Sequence, residues 1–596
     1  MSASLLERDP FLASLARLLD EVAGGAGRCA LVSGEAGIGK SSLVERFAEI
    51  HGESARFYWG RCEALFTPRP LGPLYDIARQ LQGATRELLE QEAGPAVIFP
   101  AFLEALASGA RPAVVVIEDV HWADEATLDL LKFLGRRVQQ VPVLLIVTYR
   151  DDEIGPHHPL RFVLGDLPIR ATWRMHLPPL SREAVAALAH SAHRAGSDLY
   201  SVTGGNPFFV TELLASDEAG VPETVRDAVL ARGARLSPQG RAILDLVSVV
   251  PARTELWLIE AILPQSSSAV EECVYAGVLH PEPEAVAFRH ELARQAAESA
   301  LPPQRLSALH AEVLRALLER AGEASLVARL VHHAALAGDG AAVLRFAPNA
   351  ARQAAQHGAH REAAKHYATA LHYADALPRA QRAELLEGRA YECYLTGQLE
   401  DAVQARTEAL TVWRELRERD NVGRNLRWLS RLCWFLGDKA AAERHASEAI
   451  AALEALPPGR ELAMAYSNLA QLRMLEDNHA DTVLWGTRAL ALAETLDDDE
   501  IRVHALNNVG TAQLSRGDEE GRTQLETSLQ LALEHGFEEH AARAFTNLGS
   551  IAVLLRQYAR VRRYLDEGIA YCAKTDLDSW LLYMAGWRAQ ARLDMG

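Results

Sequence analysis

A phosphate-binding loop is predicted at residues 34–42, which read Gly34, Glu35, Ala36, Gly37, Ile38, Gly39, Lys40, Ser41 and Ser42. Its glycines let backbone N–H groups turn inward around phosphate oxygens, and the helix predicted to follow points its positive end at them. In this pattern Lys40 reaches the β- and γ-phosphates and the Ser41 hydroxyl coordinates Mg²⁺. Only five lysines occur in the chain, so one at this position is informative. The motif predicts binding of ATP or ADP with Mg²⁺.

A second candidate is an acidic pair, Glu118 and Asp119, which follows the apolar run 113–117. Carboxylates at the end of a parallel strand beside such a loop can hold Mg²⁺ and polarise an attacking water. We therefore predict Ser41, Glu118 and Asp119 as Mg²⁺ ligands and the two acids as catalytic groups. The first acid usually serves the metal and the second the water. Because the order here is Glu-Asp, the sequence leaves the two roles open.

Arg150 ends the next apolar run, and at that strand tip it could sense the γ-phosphate as a third catalytic residue. The alternative is an arginine that pairs with Asp151 or Asp152 on a loop. Two interpretations also remain open for three residues after the acidic pair, which either support the acids or pack a loop: His121, Trp122 and Asp124.

The elements that must position these residues form an α/β domain over residues 1–180. Apolar runs alternate there with amphipathic helical stretches, a pattern typical of a parallel sheet. The strand between the phosphate loop and the acidic pair marks the class of P-loop ATPases that includes the AAA type. The predicted strands are 29–34, 55–61, 113–119, 142–149 and 173–177.

Helices dominate after residue 180. We predict a helical lid at 181–236, a winged-helix-like domain at 237–305 with short β segments, and a helical connector at 306–340. Residues 341–596 repeat, with breaks at about 40-residue spacing, which predicts a solenoid of helix pairs like tetratricopeptide repeats. The last repeat stops after its first helix, so we expect a longer protein. The breaks fall at Gly358, Gly397, Gly437, Asp477, Gly517, Arg556 and Gly596.

Three asparagines occupy one equivalent position in successive repeats: Asn468, Asn508 and Asn547. They either present a repeated polar group to a ligand on the concave face or bond neighbouring helices and fix the repeat spacing. The sequence supports both interpretations.

Composition excludes several classes of protein. The net charge of −18 argues against a broad nucleic-acid-binding surface. No apolar run approaches the roughly 20 residues that span a bilayer, and charges near the N-terminus exclude a signal peptide, so we expect no membrane association and a cytoplasmic location. The six cysteines are widely spaced, which favours buried thiols over a disulfide framework or a zinc site.

In combination, the segments GEAGIGKS, 116–131, 147–154, 203–214 and 288–296 resemble the large ATP-binding regulators of the LuxR type, which belong to the STAND class of signal-transduction NTPases. The resemblance implies that Asn206 and Pro207 approach the nucleotide base, that Arg8 lies near the adenine, and that His290 touches the β-phosphate of ADP.

The resemblance also implies a function. An inducer, a small molecule or a protein, would bind the repeats, ATP would favour self-association, and DNA would be bound only through a C-terminal helix-turn-helix absent from this chain. ATP hydrolysis would be slow and act as a timer. The alternatives are a motor or loader ATPase of the AAA type and a repeat scaffold with a vestigial ATPase.

Overall fold

The computed structural model describes residues 5–65, 67–81, 84–91, 93–156, 158–192, 199–215, 233–288, 290–320, 326–575 and 577–595. The chain divides into two compact units, Met1–Ala374 and Asp375–Gly596. The fold is that predicted: a P-loop α/β domain followed by a helical lid, a winged-helix-like module and a solenoid of helix pairs. Among the described helices, none has the length and apolar character needed to cross a bilayer.

Five parallel strands form the larger sheet of the first unit, in the order β2-β3-β4-β1-β5. β3 and β4 are buried along their whole length, because helices cover both faces and the apolar runs are continuous. β4 pairs with both β1 and β3 and so separates them. The strands are β1 Arg28–Ser33, β2 Arg56–Arg61, β3 Ala113–Glu118, β4 Val143–Tyr149 and β5 Thr172–His176.

Helices cover the two faces of this sheet. One face packs on α1 and α2, and the other packs on a larger core that includes Ala351, Ala354 and Ala363. The helices of the α/β domain are α1 Asp9–Ala23, α2 Lys40–His51, α3 Gly72–Ala78, α4 Thr85–Glu90, α5 Pro95–Ala107, α6 Glu125–Arg137 and α7 Pro159–Asp166.

Three smaller groups of elements complete the first unit. The predicted lid contains α8 Arg182–Ser191, α9 Leu199–Thr203 and α10 Pro207–Ala215, and its predicted residues 193–198 and 216–232 lie outside the described residues. The winged-helix-like module has an antiparallel sheet in the order β6-β8-β7. It comprises α11 Pro238–Ser248, β6 Thr254–Glu255, α12 Leu256–Ile262, α13 Ser267–Tyr275, β7 Leu279–Glu282, β8 Ala285–Phe288 and α14 Glu291–Ser299. Then follow α15 Pro303–Leu318, α16 Val327–Ala337, α17 Gly340–Gln356 and α18 His360–His372.

The second unit is a series of helix pairs. The predicted breaks at Gly397, Gly437, Asp477, Gly517 and Arg556 all have positive φ, between 56° and 82°. The turn therefore needs a left-handed residue, which explains why glycine recurs there. The helices are α19 Arg379–Leu395, α20 Leu399–Leu416, α21 Arg419–Phe435, α22 Lys439–Leu453, α23 Arg460–Leu475, α24 His479–Leu496, α25 Asp499–Ser515, α26 Glu519–Glu534, α27 Glu538–Leu554, α28 Tyr558–Val561, a π-turn at Arg562–Asp566, α29 Glu567–Lys574 and α30 Asp578–Met595.

The three equivalent asparagines hold neighbouring helices together. Asn468 donates to Ser430 Oγ (3.1 Å), Asn508 to the Ser467 carbonyl (3.0 Å), and Asn547 to Asn507 Oδ1 (2.8 Å). Each bond reaches the first helix of the preceding repeat. These contacts favour a role in fixing the repeat spacing, because the amide groups are engaged within the solenoid.

All six cysteines are buried, as predicted from their spacing.

Candidate nucleotide-binding site

The predicted phosphate loop connects β1 to α2. Gly34, Gly37 and Gly39 have φ values of 145°, 79° and 95°, conformations that residues with side chains rarely adopt. α2 begins at Lys40, so its free N–H groups face the loop. The Lys40 ammonium folds back over the loop and donates to the carbonyl oxygens of Gly34 (2.6 Å) and Glu35 (2.9 Å). The loop is thus shaped to surround an anion.

Burial lowers the pKa of Lys40 to about 8, although the nearby Asp119 carboxylate opposes the change. The ammonium is therefore still mostly charged at neutral pH but is poorly hydrated. A phosphate that replaced the two carbonyl acceptors would meet a positive charge that water does not shield.

Two hydrogen bonds join the lid to the phosphate loop. Asn206 Nδ2 donates to the Ala36 carbonyl (2.8 Å), and the Phe208 N–H donates to the Gly37 carbonyl (3.2 Å). A Cβ atom at Gly37 would lie 2.8 Å from both Asn206 Oδ1 and Phe208 Cβ. Asn206 therefore contacts the loop backbone, and the glycine at position 37 is required by this close approach.

A cavity of about 740 Å³ lies against the loop, and its walls come from the α/β domain, the lid and the winged-helix-like module. Residues 37–42 of the loop, Lys40 among them, form one wall. Five further predicted site residues line it: Arg8, Asp119, Arg150, Pro207 and His290. The structure thus brings together residues that lie more than 280 positions apart in the sequence. Gly34, Glu35, Ala36, Glu118 and Asn206 do not line the cavity itself.

Arg8 and His290 reach the cavity from distant parts of the sequence. Arg8 is buried and donates to the carbonyl oxygens of Ile38 (3.2 Å) and Pro178 (2.9 Å), which ties the N-terminal segment to the phosphate loop. His290 stacks on Phe208 with ring centroids 4.4 Å apart, and its Nδ1 accepts from the Leu292 N–H (3.1 Å).

Burial, with the charges of Arg150 and Lys40, lowers the pKa of His290 to about 3. The ring is therefore neutral at physiological pH. Because Nδ1 accepts a hydrogen bond, the ring proton sits on Nε2, which makes that nitrogen a hydrogen-bond donor.

The two acids differ in their surroundings. Asp119 lines the cavity in a left-handed conformation (φ 56°), and its N–H donates to Thr148 Oγ1 (3.0 Å). Burial, reinforced by the Glu118 charge, raises the pKa of Asp119 to about 6. Glu118 is also buried, but it faces Arg61 at 3.1 Å. Asp119 therefore is the acid directed at the cavity.

Arg61 is a residue that sequence reasoning missed. It ends β2, next to β3, and contacts Glu118 on one side and Glu282 of β7 (3.5 Å) on the other. Glu282 also faces His280 (3.3 Å). Arg61, Glu118 and Glu282 border a second cavity of about 390 Å³. A charged residue at the end of the strand next to β3 could have indicated Arg61 from the sequence. Its partner Glu282 on β7 could not be predicted.

The structure shows the contacts of Arg150 and of two residues that follow the acidic pair. Arg150 is buried, forms a short ion pair with Glu153 rather than with Asp151 or Asp152, and stacks on Trp122, with its guanidinium carbon 4.7 Å from the ring centroid. Trp122 therefore supports a residue of the cavity wall. Asp124 instead accepts from the N–H groups of Leu71 (3.1 Å) and Thr127 (2.9 Å), so it caps α6.

The residues around the cavity fit a nucleotide with Mg²⁺. The loop supplies backbone donors and a lysine for phosphate, and Asp119 and Ser41 supply the oxygen ligands that Mg²⁺ prefers. Glu118 Oε1 is buried without a hydrogen-bond partner among the described residues, so an acceptor oxygen is available next to Asp119.

A match to a known family covers the phosphate loop and the acidic pair. Residues 4–147 match the family of AAA ATPase domains, which places a nucleotide-binding domain of this type at the start of the chain. An uncharacterized protein of Rhizobium meliloti is 25% identical over 417 residues, 57% of this chain and 40% of the relative, so the chain matches well under half of that protein. A solved structure of a STAND (signal transduction ATPase with numerous domains) protein with a tetratricopeptide repeat sensor, from Pyrococcus horikoshii, is similar at 16% identity and a TM-score of 0.43, over 98% of this chain and 86% of that one.

Proposed function

We propose that the protein is a signal-transduction switch of the STAND type, controlled by ATP and ADP. The observation that carries the proposal is the shared cavity, to which the α/β domain, the lid and the winged-helix-like module each contribute side chains. A nucleotide bound there contacts all three modules at once. Its binding energy therefore favours the arrangement in which the modules are together, and its departure or exchange favours a different one.

The ion-pair chain centred on Arg61 supports this proposal. Arg61 connects Glu118, at the end of β3, with Glu282 of the winged-helix-like module. Mg²⁺ bound with ATP would compete with Arg61 for the Glu118 carboxylate. Weakening the Glu118 contact would loosen the winged-helix-like module, which gives the nucleotide state a way to alter the arrangement of modules.

Hydrogen bonds join α18, at the start of the repeats, to α6 of the α/β domain, and a signal would pass through them. At the N-terminus of α6, the Glu125 N–H donates to Glu362 Oε2 of α18 (3.3 Å), and the Arg361 N–H of α18 donates to Glu125 Oε2 (2.8 Å). Each helix thus caps the other. Because α6 follows the acidic pair after only five residues, a displacement of α18 would be felt near Asp119.

The finer parts of the proposal rest on the sequence resemblance. An inducer, a small molecule or a protein, would bind the repeats and favour exchange of ADP for ATP. The ATP form would self-associate and regulate transcription through a C-terminal DNA-binding domain of the LuxR type outside this chain. Hydrolysis of ATP at Asp119 would return the switch to its ADP form, and Mg²⁺ would be bound by Ser41, Glu118 and Asp119.

Replacing Glu282 with glutamine tests the switch. The change removes one carboxylate from Arg61 without touching the cavity, so we expect ADP to leave about five times faster, the equivalent of about 1 kcal/mol for a partly buried ion pair. The release rate of a fluorescent ADP analogue measures this. Glu271→Gln, an exposed change on α13 of the same module, is the matched control. Equal release rates for Glu282→Gln and wild type would contradict a switch held closed by this contact.

A further inference from the structure

Three histidines meet between two helices of the first unit, and none of the three lines the nucleotide cavity. His310 lies in the middle of α15, and His332 and His333 lie in the middle of α16. One ring nitrogen from each histidine lies within 4.8 Å of those from the other two. His310 and His333 are fully buried, and their Nδ1 atoms are 2.8 Å apart.

A hydrogen bond between two rings leaves this cluster poorly satisfied. The bond joins Nδ1 of His310 to Nδ1 of His333, so one ring donates and the other accepts. It leaves the Nε2 atom of each ring without a partner in this pair. Those two Nε2 atoms are buried and have no hydrogen-bond partner within the described part of the chain. Buried polar atoms without partners are uncommon in proteins because each one loses its hydration without compensation.

All three rings are in the form that binds metals. Burial is the main cause that lowers the pKa of His310 and of His332 to about 4, and it holds the pKa of His333 well below the usual range. The imidazoles are therefore neutral at physiological pH, and each offers a nitrogen lone pair.

We propose that His310, His332 and His333 form a binding site for a transition-metal dication of the Zn²⁺ class. Zn–N bonds of about 2.0–2.1 Å place tetrahedral ligands roughly 3.3 Å apart, a separation that small ring rotations reach from the present arrangement. Three neutral nitrogen ligands select Zn²⁺, Co²⁺ or Ni²⁺ over Mg²⁺ and Ca²⁺, which prefer oxygen. His332 is only partly buried, which gives an ion access from solvent.

Two arginines lie near the three histidines, and their ion pairs weaken the repulsion between them and a bound metal cation. Arg294 pairs with Glu291 (2.7 Å) and Glu298 (2.9 Å), and Arg329 pairs with Glu255 (2.7 Å). Each positive charge therefore has its own carboxylate partner. Their acidic partners also provide negative charge around the cluster.

A metal ion at this position would join α15 to α16. Since α16 packs on α17, and α17 shares the core of the α/β domain, the ion would fix the hairpin that follows the winged-helix-like module. The spacing of cysteines could not reveal such a site, because its ligands are histidines that are brought together only when the two helices pack.

The test uses the untagged full chain freed of metal by a chelator. After dialysis of this protein against Zn²⁺, we expect elemental analysis to find one Zn²⁺ per chain. After loading with Co²⁺ instead, we expect the visible absorption of tetrahedral Co²⁺, and added Zn²⁺ should abolish it. His332→Gln, at the partly exposed ligand, should weaken Co²⁺ binding at least tenfold. His372→Gln, an exposed change on α18, should bind Co²⁺ like wild type.

Two results would overturn the proposal. One is wild-type protein that takes up no stoichiometric metal or gives only the weak spectrum of octahedral Co²⁺. The other is His332→Gln protein that binds Co²⁺ as tightly as wild type, which would assign the uptake to scattered surface histidines. Because the wild-type spectrum can overturn the proposal by itself, the test holds even if a variant fails to fold, which circular dichroism would reveal.

Discussion

Replacing Lys40 with alanine will abolish the binding of ATP and ADP. The ammonium is buried, points into the loop and is held by two loop carbonyls, so it is already placed to meet phosphate. Charge-assisted hydrogen bonds of this kind contribute about 1.5–3 kcal/mol each, so we expect Kd to rise at least about 100-fold. Isothermal titration of nucleotide-free protein with Mg-ATP measures this directly.

Thermal stability provides the second measurement for Lys40. Nucleotide at 100 times its Kd should stabilise the nucleotide-free wild type by about 2.7 kcal/mol, and the Lys40→Ala protein should show no such gain. Lys439→Ala, an exposed change on α22, is the control and should respond like wild type. Nucleotide affinity of the Lys40→Ala protein within threefold of wild type would exclude residues 34–42 as the phosphate site.

Replacing Asp119 with asparagine will preserve ATP binding but reduce hydrolysis at least about 100-fold, the usual effect of losing a group that activates water. The phosphate loop binds through backbone and Lys40, whereas Asp119 is the acid that faces the cavity. Steady-state phosphate release measures turnover. Asp152→Asn, on an exposed residue just beyond Arg150, is the matched control. Turnover of Asp119→Asn close to wild type would assign the role to Glu118.

The pH dependence of hydrolysis gives an independent check on Asp119. Burial raises the pKa of this carboxyl to about 6, so it carries its charge above that pH and loses it below. The charged carboxylate can bind Mg²⁺ and activate water, whereas the protonated form cannot, so turnover at limiting Mg²⁺ will fall as the pH drops below about 6, and the profile of the Asp152→Asn control will overlay that of wild type.

Local patterns allowed much of the fold to be predicted. Continuous apolar runs marked β1, β3 and β4 to within about two residues, since a strand buried on both faces must be apolar throughout. Six of the predicted repeat breaks were also correct, because each of those turns has a left-handed residue and four of the six are glycines, whereas the predicted break at Gly596 lies outside the described residues. The phosphate loop was recognisable because its chemistry depends on neighbouring residues and not on distant ones.

Contacts between distant segments could not be predicted in the same way. The link from Arg61 to Glu282 joins residues 221 positions apart, and neither has a distinctive sequence context. The mutual capping of α6 and α18 and the histidine cluster depend likewise on how helices pack. The family resemblance implies that Asn206 approaches the nucleotide base, whereas its hydrogen bond to the Ala36 carbonyl, which holds the loop, is shown only by the structure.

The nucleotide that remains on the purified full chain tests the switch most directly. Denaturing the protein and separating the released nucleotides by chromatography identifies and counts them. A switch closed by its ligand predicts ADP at about one per chain in the wild type, with none in Lys40→Ala protein as the matched control. Wild-type protein that carries no nucleotide and hydrolyses ATP at motor-like rates, roughly tens per second, would contradict the proposed function.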